Sequence, residues 1–274
     1  MMKPTKPRIL TINGGSSSIR FAFYHGGEPL ERGLCGKVER IGLSGTKLTF
    51  SEPASNRQES RGLDSSDYHS AANSLIDWLA EQDAFTSIEA VGHRVVQGMQ
   101  HTAPAPVTQE LLDELHRISP YAPEHLPHGI ELIETIRRRH PQLPQVACFD
   151  TAFHHDMPRV AKLLPIPRRY EAQGVQRYGF HGLSCAHLME ELTRLGDPAA
   201  TNGRVILAHL GNGASLTAVK DGHSIDTSMG FTPAAGMVMS TRSGDLDPGV
   251  HSFLARNEHM TPAQFDRMVN HDCA

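Results

Sequence analysis

A chain of 274 residues has room for two ordinary domains or one large one. Its 39% hydrophobic and 20% charged content suits a globular protein. A formal net charge of -4 argues against non-specific nucleic-acid binding, which leaves a basic footprint. No run approaches the roughly 20 apolar residues that a spanning helix needs, and the N-terminal MMKPTKPRIL lacks the apolar core of a signal peptide. Cys35, Cys148, Cys185 and Cys273 are scattered without a C-x-x-C pair. They read as free thiols of a cytoplasmic α/β protein rather than as a zinc site or disulfide frame.

In chain order, Ile9–Ile12 and Ile19–Tyr24 are expected strands, the second with Ile19, Phe21 and Phe23 on one face. A Gly- and Ser-rich stretch runs on to about Asp67 with one strand expected at Lys47–Phe50. Ala72, Leu75, Ile76 and Leu79 recur at helical spacing and predict a helix over Tyr68–Glu81. Ala90–Val96 reads as a strand. Helices follow over Thr108–Ile118, with Thr108 as N-cap, and over Ile130–His140. Gln145–Phe149 reads as a short buried strand that delivers Asp150 at its C-terminal end, where open α/β sheets place ligands. Ser184–Leu195 is an expected helix with Leu188, Leu192 and Leu195 on one stripe. Ile206–Leu210 and Ala214–Lys220 are expected strands around Gly211-Asn212-Gly213, and Asp221-Gly222 predicts a type I′ hairpin turn.

Two of these stretches share a plan. ILTINGGSSSIRFAFY and VILAHLGNGASLTAVKDGHSID each enclose a Gly-rich loop between two strands, aligning Gly14 with Gly211, Ser18 with Ser215 and Ile19 with Leu216. Glycine leaves the backbone N–H groups of such loops open to a phosphate, and two of them would grip a polyphosphate from both sides. No G-x-x-x-x-G-K-[ST] loop, no G-x-G-x-x-G and no protein-kinase motif set is present.

The remaining polar clusters are VGHRVVQGM, FDTAFHHDMP, RYGFHGLS, HLGNGAS and SMGFTPAAGMVMSTRSGDLDPG. Each sets one charged or imidazole group among glycines or at a strand end. Joining a carboxylate to a phosphoryl group requires two anions to be neutralised, which planar guanidinium groups do bidentately, so Arg94 and Arg242 are candidates. His181 could donate to the equatorial oxygens of a transferring phosphoryl group. Asp150 could orient the nucleophile or a metal-bound water.

These five clusters, in this order and at these separations, resemble the acetate kinase family of acyl-phosphate-forming kinases, from Ile9 to about Pro248. The resemblance implies a duplicated actin-like ATPase (ribonuclease H-like) α/β fold. Residues 1–150 would form a first domain, with a first phosphate loop and a carboxylate-binding arginine, and 151–274 part of a second with the ATP phosphate loop. It implies direct in-line phosphoryl transfer from ATP to acetate with Mg²⁺, giving ADP and acetyl phosphate, with propionate and butyrate kinases as close variants. By similarity Asn13 falls at the Mg²⁺-linked position, with Ser16, Ser18 and Arg20 contacting nucleotide phosphates beside it. Arg94 matches the carboxylate-binding arginine, with Val96 and Pro233 as further substrate contacts. Asp150 matches the catalytic acid, His181 and Arg242 the pair that stabilises the transition state, and His209, Leu210, Gly211, Asn212 and Gly213 the ATP phosphate loop. A homodimer in the cytoplasm is implied as well, with no nucleic-acid or membrane partner.

Plainer readings stand beside these. The first Gly-Ser run could be a structural turn, Arg94 a surface or ion-pair residue, His209 a core histidine and Asp150 a helix N-cap. TRSGDLDPG could be a loop whose Asp245 and Asp247 cap turns. His93, His154, His155 and His187 read as structural or solvated. Three departures from the family pattern stand out. Arg20 replaces a usual lysine, Glu124 in YAPEHLPHG replaces an apolar residue near the expected substrate pocket, and the chain stops at MVNHDCA. That last point makes a shortened, catalytically silent product the expected alternative to an active kinase.

Overall fold

The structure, a computed structural model, describes residues 8–27 and 30–273; the stretch 1–7, read above for a signal sequence, lies outside the described residues. Two compact units divide the chain, Met1–Gln97 with Ala103–Cys148, and Gly98–Thr102 with Phe149–Ala274. No helix among the described residues is long and apolar enough to cross a membrane.

The first unit is built on a mixed sheet. Its strands are β1 (Arg8–Gly14), β2 (Ser18–His25), β3 (Glu31–Glu39), β4 (Lys47–Glu52), β5 (Arg57–Gly62), β6 (Ile88–Val95), β7 (Ala105–Pro106) and β8 (Gln145–Phe149). They lie in the order β5-β4-β3-β2-β1-β6-β8-β7, antiparallel from β1 through β5 and parallel between β1 and β6. The period of two puts Leu10, Ile12, Ile19, Phe21, Phe23, Leu48 and Phe50 on one buried face. That face packs on α1 (Tyr68–Ala80) and on Leu132 and Ile136 of α3 (Leu126–Arg139), with the Trp78 ring 4.6 Å from Phe50 and 5.5 Å from Phe21. The Asp67 side chain closes a capping box at the start of α1. Thr108 caps α2 (Gln109–Ile118) as expected, accepting from the Leu111 N–H.

Several elements depart from expectation. β3 and β5 fall in a stretch read as largely irregular. In β3 the inward positions are Leu34, Gly36 and Val38, and any side chain at Gly36 would collide with the Thr49 carbonyl, the Phe21 ring and the Phe50 β-carbon. The apolar alternation is therefore interrupted where the neighbours supply the bulk. Every residue of β5 is exposed, so it carries no inward signal at all. α3 starts a turn early because Pro127 sits in its first turn, where its missing N–H is harmless.

The second unit holds a three-stranded antiparallel sheet of β9 (Arg204–Leu210), β10 (Ala214–Lys220) and β11 (His223–Thr227). Asp221 and Gly222 both have positive φ (50° and 82°), as a type I′ turn requires. The helices are α4 (Arg159–Lys162), α5 (Gly182–Arg194), α6 (Ala199–Asn202), α7 (Pro248–Asn257) and α8 (Pro262–His271). On α5 the expected leucine stripe is displaced. Leu188 and Leu195 are 37% and 69% exposed, and the buried side is Cys185 and Met189, with Leu192 partly covered against Leu207, Val219 and Ala200. Small and flexible sulfur side chains fill the space that the sequence pattern offered to leucine.

The repeated plan holds at the level of elements and fails residue by residue. Both units present an antiparallel meander of three strands with a Gly-containing first loop. In β1–β2, however, Gly14 pairs with Ile19, whereas in β9–β10 Leu210 pairs with Ala214. Ile19 is consequently buried and its supposed equivalent Leu216 is 40% exposed, while Ser215 is buried and Ser18 only half-buried. A change of register turns the faces over.

Candidate functional site

In the first unit, the parallel pairing of β1 and β6 sets Ile12 beside His93, which brings Asn13 and Arg94 together at the C-terminal ends of their strands. The half-buried Arg94 donates from Nη1 to Asn13 Oδ1 over 3.1 Å. Its predecessor His93 points into the core, where Nε2–H donates to Gln145 Oε1 over 2.7 Å, and burial pushes its pKa down to about 4. His93 is thus a neutral structural histidine. The first loop is tightened by a 2.7 Å bond from the Gly15 N–H to the Ser18 carbonyl, leaving Ser16 exposed and Ser18 half-buried. Arg20 is exposed directly across from Asn13 on β2. Val96 is buried.

In the second unit, Asp150 follows β8 and is 2% exposed. The short 3₁₀ turn after it is entered through Thr151, so Asp150 is not its N-cap. The buried Thr151 Oγ1 accepts from the Gly98 N–H over 3.1 Å. The Asp150 carbonyl accepts from the Gly182 N–H at 2.8 Å, and a side chain at 182 would strike that carbonyl. This contact pins the start of α5, where His181 adopts a left-handed conformation (φ 60°, ψ 20°). Such conformations in non-glycine residues concentrate at functional sites. His181 Nδ1 is hydrogen-bonded to the buried Ser215 Oγ (2.9 Å), and its ring stacks on His209 at 3.9 Å between centroids. His209, half-buried, is in turn held by Ser184 Oγ at 3.0 Å, so it is not a core histidine.

Arg242 lies in a turn closed by the Met239 N–H to the Arg242 carbonyl and tied to the β9–β10 loop through Ser240 N–H and the Asn212 carbonyl. Its Nη1 donates to the Pro233 carbonyl at 3.1 Å. Bonds from Thr241, Ser243 and Cys273 brace the turn against the end of α8. Asp245 accepts from the Gly236 N–H and caps a turn, as the plainer reading had it, whereas Asp247 accepts from the Gly249 N–H as the N-cap of α7. A Cβ at Gly213 would sit 3.2 Å from His181 Nε2 and 3.3 Å from Arg242 Nη1. The imidazole and the guanidinium therefore converge on the second loop.

The other histidines separate cleanly. His154 is buried between the Phe180 carbonyl, to which Nε2–H donates, and Ser224 Oγ, and burial lowers its pKa. It is structural. Ser184, Ser215 and Thr151 are the polar residues that the sequence did not mark as important. Their neighbours in the motifs drew the attention, and a serine that orients a histidine has no spacing signature of its own.

A meander with a Gly-rich loop in each unit, and polar groups gathered at those loops, makes an α/β arrangement suited to holding phosphate groups. The model of the Acetokinase family matches residues 8–274. The chain belongs to that family. It is 38% identical over 265 residues to an acetate kinase of Rhodopseudomonas palustris, covering 95% of this chain and 67% of the relative. To a propionate kinase of Citrobacter freundii it is 40% identical over 272 residues, covering 97% and 66%. Among solved structures it resembles a propionate kinase from Francisella tularensis (TM-score 0.89, 35% identity, 98% of this chain and 69% of that one). It also resembles a Porphyromonas gingivalis acetate kinase (TM-score 0.83, 32% identity, 98% and 68%). The fold is the α/β actin-like ATPase fold of these kinases. The chain spans about two thirds of the length of the curated relatives it matches.

Proposed function

We propose that this chain carries the phosphoryl-transfer machinery of an ATP-dependent carboxylate kinase that makes an acyl phosphate from a short-chain carboxylate. A carboxylate oxygen attacks the γ-phosphorus, the bond to the β,γ-bridging oxygen breaks, and ADP leaves with that electron pair. The nucleophile is already ionised at neutral pH, so no base is needed to activate it. Catalysis then rests on positioning and charge neutralisation.

The observation that carries this reading is the convergence of His181 Nε2 and Arg242 Nη1 on Gly213. A glycine there lets a transferring phosphoryl group approach both donors, and Ser215 fixes the imidazole. Pro233 takes part through its carbonyl, which orients Arg242. In the first unit Arg94 is assigned to the substrate carboxylate, with Val96 beside it, and Ser16, Ser18 and Arg20 to nucleotide phosphates. His209, Leu210, Gly211 and Asn212 are assigned to the phosphates in the second unit. Asp150 is assigned to orienting a water or the nucleotide's metal.

A divalent metal belongs to this reading, and the residues fit one that arrives with the nucleotide. Among the described residues no cluster of three His, Cys, Asp or Glu side chains forms a protein cage, and Mg²⁺ on phosphates is commonly held by one or two protein oxygens and waters. Asn13 Oδ1 already accepts from Arg94 and keeps a second lone pair for such a contact. When bound, the metal neutralises phosphate charge. Substrate choice between acetate and its longer homologues, a homodimer and a cytoplasmic location are further parts of the proposal. A hydroxylamine-trapping assay on the protein at its natural length, with ATP, Mg²⁺ and acetate, propionate or butyrate, should yield acyl hydroxamate. ATP hydrolysis without hydroxamate from any of the three would overturn the reading.

A further inference from the structure

The outer face of the first unit's sheet, opposite the core, carries a cavity of about 520 Å³. Its floor follows from the register. One cross-strand row runs Asn13, Arg20, Lys37, Thr49, and the next runs Thr11, Ala22, Cys35, Ser51. A register shift in the β2–β3 pairing between Ala22 and Tyr24 sets Arg32 opposite Tyr24 and so adds a third cation to the lining. Bulges commonly re-aim a side chain in this way. Arg20, Arg32 and Lys37 all line the cavity, and no carboxylate does among the described residues. Among the described residues neither the Arg20 nor the Arg32 guanidinium makes a side-chain hydrogen bond, although Arg20 is one of the cations whose charge helps hold the Glu39 carboxyl below its ordinary pKa. Lys37 is paired with Glu39 at 2.6 Å, a partly exposed pair whose lysine can be drawn to another anion.

We propose that this cavity binds an oligophosphate chain, with Arg32 and Lys37 as phosphate contacts beyond Arg20. The proposal deepens the function given above and rests on it only for the role of Arg20. Two guanidinium forks and an ammonium suit several adjacent phosphate groups, and the hydroxyls of Thr49 and Ser51 add neutral donors. A nucleobase is a poor occupant. The aromatic residues of the lining, Phe21 and Phe50, are each 3% exposed and offer no open ring face for stacking.

Cys35, half-buried in the lining and bonded to Ser51 at 3.4 Å, provides a direct probe. Alkylation of the unmodified chain by iodoacetamide is followed by peptide mass spectrometry with inorganic tripolyphosphate, ATP or orthophosphate present, without carboxylate. Tripolyphosphate should slow Cys35 labelling at least tenfold, and orthophosphate at equal concentration should not. Protection by ATP as well assigns the natural ligand to a nucleotide's tail, and protection by tripolyphosphate alone assigns it to a free chain. Calorimetric titration of tripolyphosphate should weaken at least tenfold in the Arg32→Gln/Lys37→Gln double variant. It should be unchanged in Arg61→Gln, whose guanidinium lies over the Trp78 ring. Cys35 labelling indifferent to tripolyphosphate, or equal affinity in all three proteins, would overturn the proposal. Either result would leave the hydroxamate assay to decide the reaction separately.

Discussion

Gly213 is the residue on which two donors meet. Its replacement by alanine needs no unusual backbone angle, yet the new methyl would press on His181 and Arg242 at 3.2–3.3 Å. Small displacements of catalytic groups are costly, about 100-fold for a shift of 1 Å. Gly213→Ala should therefore lower kcat by about 10- to 100-fold with little change in melting temperature. Arg242→Ala, which removes one electrostatic stabiliser outright, should cost about 2.7–4 kcal/mol of transition-state stabilisation. Near-normal turnover in Arg242→Ala would take it out of the mechanism. Glu124 offers a second test at this scale. Its charge favours the protonated form of neighbouring His128, although burial, the larger effect, lowers that histidine's pKa. If Glu124 borders the acyl pocket, Glu124→Leu should shift preference toward propionate and butyrate, because a bare carboxylate disfavours apolar chain. Unchanged kcat/KM ratios across the three acids would place it elsewhere. The charged and imidazole residues proposed for the site stood out in the sequence because their chemistry and glycine neighbours are distinctive, and their roles came from the family resemblance. Ser184 and Ser215 did not, because each holds a histidine, nor did Thr151, which holds the Gly98 backbone.

The strands carry a consequence of their own in the His93–Gln145 bond between β6 and β8. His93 is neutral and buried, with its pKa depressed to about 4 against an ordinary 6.5. Below pH 6.5 the unfolded chain takes up a proton that the folded chain refuses until about pH 4. Stability present above pH 6.5 is therefore lost as pH falls through that window, by roughly 3 kcal/mol in all. His93→Gln, which can still bond Gln145, should flatten the decline in melting temperature between pH 6.5 and 4. An unchanged slope would show that other groups govern it. Elements were legible where one face alternates cleanly: β2 and β8 came through within a residue or two. β5 was not, being exposed throughout, and β3 was hidden by Gly36, whose missing side chain makes room for the Phe21 ring and the Phe50 side chain. The α5 stripe misled in Leu188 and Leu195, which are exposed, while Cys185 and Met189 face the core with Leu192 packed beside them.

For the whole molecule, the repeated strand–loop–strand plan pointed to two related units through an alignment that does not survive residue by residue, and the fold itself was legible only through the family resemblance. Family membership rests on the full length of the match and not on that alignment. The reaction remains the central claim, and ³¹P NMR tests it without a coupling enzyme or trapping agent. The protein at its natural length, incubated with ATP, Mg²⁺ and acetate or propionate, should convert the γ-phosphate signal into that of an acyl phosphate in step with ADP, and Arg242→Ala should slow that conversion by about 10²–10³. Release of inorganic phosphate with no acyl-phosphate signal, or no turnover of ATP with either acid, would contradict the account.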